Sequence, residues 1–387
     1  METIDQAIST LGDLIGFPTV SADSNLELIR YIHAYLEGAG ADVDIHTDKS
    51  GTKANLFATL GPHVDGGIML SGHTDVVPVD DQDWSTDPFV LHERDGRLYG
   101  RGACDMKGFI ACVLATVPAF AEAKLARPVH FAFTYDEEVG CLGARALADV
   151  IRDAAIRPSL AIVGEPTFMR IIEGHKGCYE YSVRFNGVEG HSAMPELGVN
   201  AVDYAVQYVA KLMALRDALH RRAPEGSRFD PPWTTLQVGR FCGGTARNVI
   251  AGHCDVDWEM RPVRKADAAF VKSEIKTFVD NVLRPAMQEA SPLADIVTTT
   301  IGEVDGLEPM PENQALRLVA ELTGQAVADV VPFGTEAGVY QELGMSAVVC
   351  GPGSIDQAHK PDEFVAREQL EQTLAMLDGL VGKLATA

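Results

Sequence analysis

The stretch FTYDEEVGCLGARAL, residues 133 to 147, runs from an apolar, strand-like segment through Asp136, Glu137 and Glu138 into a segment with helical spacing. A strand that hands over to a helix within a few residues is half of a βα unit, the building block of α/β layers. The three carboxylates at the junction admit two readings. Acids opening a helix complement the positive end of its dipole. Alternatively, neighbouring carboxylates divide a task, one binding a metal and the other moving a proton.

Outward from this junction the alternation continues. Towards the N-terminus the chain reads as helices near 3–15 and 25–38, strands at DVDIHT, ANLFATLG and GIMLSGHTD, a helix after Asp105 and the strand VHFAFTY. A helix after Glu138 and the strand SLAIVGE follow, so residues 1–176 predict an α/β layer with a mixed sheet. Between 177 and 288 the rhythm changes to strand CYEYSVRFNG, helix NAVDYAVQYVAKLMALRDAL, strands TTLQVGRF and HCDVDWEMRPV, and helix DAAFVKSEIKTFVDNVL, with ADIVTTTIGE as a candidate last strand. That order is the ferredoxin-like split βαβ pattern, an α+β domain inserted into the first. After the Pro-rich DGLEPMPEN the α/β rhythm resumes through VVCGPG and a terminal helix from about 367, which makes 1–176 with 289–387 one discontinuous domain.

The bulk composition narrows the function classes. A chain of 387 residues, 46% hydrophobic and 22% charged, has ample apolar material for two cores. Its opening residues lack a basic n-region, and Ile4, Ala7, Ile8, Leu11, Leu14 and Ile15 have amphipathic helical spacing, so no signal peptide is expected. No run approaches the length of a membrane span. A formal charge of −23 argues against nucleic acid or anionic lipid as partner. Cys104, Cys112, Cys141, Cys178, Cys242, Cys254 and Cys350 are odd in number and never form a C-x-x-C pair, which suggests reduced thiols in a cytoplasmic protein.

Chemistry-bearing residues cluster at strand ends. In SGHTDVVPV, His73 and Asp75 share a strand face, so the carboxylate can orient the imidazole, although a lone strand-end His is commonly structural. In YGRGACDMKGF the glycines lack nucleotide-loop spacing, and Asp105 sits where an N-cap would. VGEPT offers Glu165, and GSIDQAHKPDEF offers His359. Groups at the ends of successive strands of one α/β sheet converge in space. There is no H-E-x-x-H helix and no G-x-S-x-G elbow, which removes support for single-zinc protease and serine hydrolase chemistry.

The ordered set GHTDVVP, GRGACDMKG, TYDEEVGCLGA, GEPT and AHKPDEF resembles the dinuclear zinc family of aminoacylases, glutamate carboxypeptidases, succinyl-diaminopimelate desuccinylases and acetylornithine deacetylases, over nearly the whole chain. Within it, DKSGTKANLFATLGP, FAFTYDEEVGCLGA and VVPFGTEAG are most similar to the acetylornithine deacetylase branch. The resemblance implies a zinc-peptidase-like catalytic domain with an inserted lid and dimerisation domain. It implies two Zn²⁺ per subunit, replaceable by Co²⁺ or Mn²⁺, with His73, Asp105 and Glu165 on one ion and Asp105, Glu138 and His359 on the other. It further implies a hydroxide between the ions, Glu137 as general base, and a cis bond between Asp105 and Met106. Asp136 is left to helix capping.

For the inserted domain the resemblance implies that His191, in VEGHSAMP, stabilises the oxyanion, in its own or a partner subunit's site. Arg261 in WEMRP and Asn248 in ARNVIAG would hold the substrate carboxylate; a plain surface charge is the alternative for Arg261. Thr335 and Glu336 in FGTEAG are expected near the substrate pocket, Glu336 either as partner of a distal ammonium or as a solvated loop acid. The implied activity is hydrolysis of a small N-acyl amino acid by a cytoplasmic homodimer, foremost removal of acetate from N²-acetyl-L-ornithine. A desuccinylase or broader N-acyl-amino-acid hydrolase is the near alternative, and a metal-binding scaffold without turnover the distant one.

Overall fold

The structure is a computed structural model and describes residues 2–385. The chain divides into two compact units, Met1–Gly174 with Pro309–Val330 and Thr335–Ala387, and His175–Glu308 with Val331–Gly334. The second unit is therefore wider than the 177–288 expected from sequence. The reason is the strand Asp295–Val304, which pairs antiparallel with Cys178–Asn186 along its whole length and belongs to that unit's sheet.

The first unit is built on an eight-stranded mixed sheet. Its order is Asp42–Thr47, Ala54–Leu60, Val129–Thr134, Ile68–His73, Leu160–Val163, Ser346–Val349, Ile172–His175, Asp329–Val331. The four central strands, 129–134, 68–73, 160–163 and 346–349, are mutually parallel, while the first two pairings are antiparallel. Parallel strands covered on both faces read as continuous apolar runs, and Ile68–His73, Val129–Thr134 and Ser346–Val349 are buried at every position. The helix Lys107–Glu122 is likewise apolar nearly all round, and its Phe109 and Val113 join Leu14, Ile32, Phe131, Ile162, Val348 and Leu377 in one core. Because the central strands run the same way, their carboxyl ends meet on one edge, and His73, Asp136, Glu165 and the loop carrying His359 all follow those ends.

The helix after the acidic triplet begins at Leu142, with Cys141 in the left-handed region as its N-cap and no acid in its first turn. Dipole complementation and capping by Asp136 are thus both corrected. A short ribbon absent from the sequence reading, His92–Arg94, Arg97–Tyr99 and Phe364–Ala366, pairs beside the His359 loop.

The second unit has the order β-α-β-β-α-β. Its four-stranded antiparallel sheet runs Thr235–Gly243, His253–Arg261, Cys178–Asn186, Asp295–Val304, the ferredoxin-like arrangement, with Ala201–His220 and Lys265–Phe278 as its helices. Alternate residues of Cys178–Asn186 are buried, and Tyr181, Phe185, Tyr208, Leu212, Trp258 and Val271 form a separate core. Among the described residues no helix is long and apolar enough to cross a membrane.

Two backbone segments of the first unit pass so closely that side chains are excluded. A Cβ at Gly164 would lie 2.0 Å from the Phe109 ring, and one at Gly351 would lie 2.0 Å from the Gly164 carbonyl oxygen. Gly164→Ala is therefore expected to destabilise the protein by about 1–3 kcal/mol, the range for overpacking a filled core. Urea unfolding measures it; a midpoint equal to wild type would contradict the packing described.

Candidate metal centre

His73 ends its strand fully buried. Its Nδ1 is 2.9 Å from the Asp75 carbonyl oxygen and 3.5 Å from Asp75 Oδ1, so this nitrogen carries a proton and Nε2 faces inward, towards the carboxylates. Nε2 lies 2.9 Å from Asp105 Oδ1 and 3.6 Å from Glu165 Oε1. On the other side, His359 Nε2 is 3.3 Å from Asp105 Oδ2 and 3.0 Å from Glu138 Oε2. Asp105 thus offers one oxygen to each imidazole. It caps no helix: Met106 is the N-cap of Lys107–Glu122, without a side-chain bond. The Asp105–Met106 bond is cis, as the resemblance implied.

Asp75 organises the acidic turn as well as His73. Its Oδ1 accepts the Glu137 N–H at 3.0 Å, and its Oδ2 accepts the Glu138 N–H at 3.3 Å and the Ser21 hydroxyl at 2.7 Å. One carboxylate thereby fixes the backbone beneath both glutamates. Asp136, at φ 52°, instead accepts the Lys53 ammonium at 2.8 Å, and Lys53 also donates to the Ser21 carbonyl. The turn is tied down on both sides.

The electrostatics are those of a crowded, desolvated site. Burial, reinforced by Asp105, pushes Glu165 well above the carboxylate range and raises Glu138. Burial together with Glu138 and Asp105 pushes Glu137 up to about 8, against the lowering pull of His73. Burial alone would depress His73, yet the facing Glu165 and Asp105 hold it well above an ordinary imidazole. Hydrogen bonds that the His359 ring donates to Asp105 and Glu138 push its pKa up to about 10. Carboxylates this close and this dry require positive charge among them, as protons or as metal.

The donor set suits a metal. The ligand atoms of His73, Asp105 and Glu138 lie within 4.8 Å of one another, as do those of His73, Glu137 and Glu165. Glu165 Oε1 is buried without any hydrogen-bond partner, an acceptor aimed at the cluster and left for a cation. Imidazole and carboxylate donors fit Zn²⁺, Co²⁺ or Mn²⁺. Glu137 stands within the same reach as the other carboxylates.

Glu336 is corrected. It is neither a solvated loop acid nor available to a substrate ammonium: it is fully buried and accepts the Ser71 hydroxyl at 2.5 Å and the Thr134 hydroxyl at 2.8 Å. Tyr340 is 2.8 Å from Ser71 in the same nest. Thr335 is buried too, and its hydroxyl accepts the Ala337 N–H that opens the helix Ala337–Gln341. Side chains two apart on a strand share a face, so Ser71 and His73 together carry Glu336 behind the imidazole.

In the second unit, His191 and Asn248 come together. A two-residue ribbon pairs His191 with Val249, and the Asn248 carbonyl accepts the Ser192 N–H at 3.1 Å. His191 is exposed, and its Nδ1 accepts the Ala193 N–H at 3.1 Å, which leaves Nε2 as the nitrogen able to donate. Arg261, at the end of its strand, directs Nε and Nη2 at Glu259 Oε2, 3.1 and 2.8 Å away.

Residues with no role assigned from sequence also shape the centre: Lys53, Ser71, Thr134, Arg101 and Glu363, whose Oε1 accepts the Asp105 N–H at 3.0 Å. The one signal that could have marked them is a charged or hydroxyl residue set among apolar or glycine neighbours at a strand end.

The model of peptidase family M20/M25/M40 matches residues 69–383. An acetylornithine deacetylase of Shigella sonnei (strain Ss046) is 35% identical over 371 residues, covering 94% of both chains. Among solved structures, an M20 metallo-carboxypeptidase of Sulfolobus solfataricus aligns with a TM-score of 0.76 at 18% identity, over 98% of this chain and 99% of that one. A dinuclear metal-binding M20 peptidase of Bacillus subtilis aligns at 0.65 and 18% identity, over 99% of each. With a family match from residue 69 to 383 and a 35% identical relative along nearly its whole length, the chain belongs to peptidase family M20/M25/M40 and is a hydrolase of amide bonds.

Proposed function

We propose that the chain removes the acetyl group from N²-acetyl-L-ornithine, releasing L-ornithine and acetate. The observation that carries this reading is the 35% identity to an acetylornithine deacetylase over 94% of both chains. The product's place in arginine biosynthesis, a cytoplasmic location and a homodimer complete the reading. Two Zn²⁺ would be held as the resemblance implied, by His73, Asp105 and Glu165 for one and by Asp105, Glu138 and His359 for the other. The two-oxygen presentation of Asp105 and the orphaned Glu165 Oε1 support it. When bound, such a pair polarises a carbonyl and acidifies water.

The chain's own groups do the rest. Glu137 takes a proton from the attacking water as the water oxygen bonds to the acyl carbon. It then delivers that proton to the amine nitrogen as the C–N bond breaks. Asp75 holds His73 and the Glu137 backbone in place. His191 donates from Nε2 to the oxyanion of the tetrahedral intermediate. Asn248 and Arg261 receive the α-carboxylate, with the substrate displacing Glu259 from the guanidinium. The near alternative, a desuccinylase, uses the same centre on a longer acyl group.

Acetate release from N-acetylornithine is expected to exceed succinate release from N-succinyl-diaminopimelate in kcat/KM with zinc- or cobalt-loaded protein; the reverse order would assign the alternative. Glu137→Gln is expected to lose about 10²–10⁴-fold in kcat while still binding two metal ions. Glu138→Gln is expected to lose one ion. Metal analysis beside kinetics separates the two, and metal loss in Glu137→Gln would contradict its role as base. His191→Ala is expected to lower kcat by about 10²–10³-fold with little change in KM, since its bond strengthens only in the transition state. An unchanged kcat would remove it from the chemistry.

A further inference from the structure

The two imidazoles of the centre are fixed by different means. His73 is fully buried in a central strand, whereas the His359 side chain is 52% exposed on a loop, at φ 63°. Packing and the Asp75 carbonyl hold the first; the second stands on a loop and needs a tether. A closed ring of hydrogen bonds within the first unit supplies one. The Asp105 N–H donates to Glu363 Oε1 at 3.0 Å, and Arg101 Nη1 donates to Glu363 Oε2 at 2.6 Å. Arg101 Nη2 donates to Gln82 Oε1 at 2.6 Å, and Gln82 Nε2 donates to the His359 carbonyl at 3.1 Å. The His359 ring returns to Asp105 Oδ2 at 3.3 Å.

The ring is rigid where it is buried. Arg101 and Glu363 are each 1% exposed, and Glu363 also accepts the Cys104 N–H at 2.8 Å. The Arg101 guanidinium lies 5.0 Å from the Trp84 ring centre, and the Trp84 indole N–H donates to Gln82 Oε1 at 3.1 Å. Gln82 is half-buried and joins the rigid Arg101–Glu363 pair to the His359 carbonyl, beside the 3.4 Å bond from Arg101 Nη1 to the Lys360 carbonyl.

We propose that Gln82 is a positioning residue, which with Arg101 and Glu363 sets where His359 stands relative to Asp105. It thereby tunes the affinity of the ion shared by Asp105, Glu138 and His359, without touching that ion. The inference rests on the reading of those three residues as ligands. Residues that orient ligands in this way change metal affinity about 10–100-fold.

The test is zinc titration of apo protein against a chromophoric chelator, for wild type, Gln82→Leu and Glu363→Gln, with thermal unfolding in parallel. Wild type is expected to bind two ions. Gln82→Leu is expected to weaken one of them at least about tenfold and leave the other within about twofold, at unchanged unfolding temperature. Excess zinc is expected to restore its kcat, which a merely structural lesion would not allow. Glu363→Gln should weaken the same ion. A Gln82→Leu isotherm that superimposes on wild type, or equal weakening of both ions, overturns the proposal. A wild-type chain that fails to bind two ions overturns the ligand reading itself, and the ring with it.

Discussion

The carboxylate of Asp105 lies between two imidazoles, 2.9 Å from His73 Nε2 and 3.3 Å from His359 Nε2, with Glu138 and Glu165 facing the same space. Desolvated acids at such separations repel one another and shift strongly towards their protonated forms. Only positive charge placed among them makes the arrangement favourable, and the surrounding fold exists to keep the acids together until it arrives. The carboxyl ends of four parallel strands bring His73, the acidic turn, Glu165 and the His359 loop to one edge. Asp75, Lys53, Glu363 and the Glu336 nest then hold each group from behind.

These supports act mostly on backbone. Asp75 grips the N–H groups of Glu137 and Glu138, Glu363 grips those of Cys104 and Asp105, and Gln82 grips the carbonyl of His359. With the main chain fixed from behind, the carboxylates of Asp105, Glu137, Glu138 and Glu165 face the same space as His73. Glu336 shows the contrast: hydroxyls engage both of its oxygens, and it serves structure instead.

Much of the fold was legible because periodicity and strand-end chemistry are local signals. The buried runs ANLFATL and VHFAFT could only be covered strands, and five motifs in order placed the centre. What escaped depended on partners distant in sequence. The strand Asp295–Val304 belongs to the second unit because of its register with Cys178–Asn186, more than 100 residues earlier. Asp136 looked like a helix cap because its partner, Lys53, lies in another turn. Glu336 sits in a glycine-flanked loop that reads as exposed, yet the short helix after it turns the side chain onto Ser71 and Thr134. The positioning ring was invisible for the same reason: Gln82, Arg101, Glu363 and His359 have no spacing in common.

The proposed function requires Asp105 to lie between two metal ions, one beside His73 and one beside His359. Anomalous diffraction at the zinc edge, from crystals of the zinc-loaded protein, tests it most directly. Two peaks about 3.5–4 Å apart are expected, one beside His73 and Glu165, the other beside Glu138 and His359, with the Asp105 carboxylate between them. A single peak in fully loaded protein, or two peaks that share no Asp105 oxygen, would contradict it.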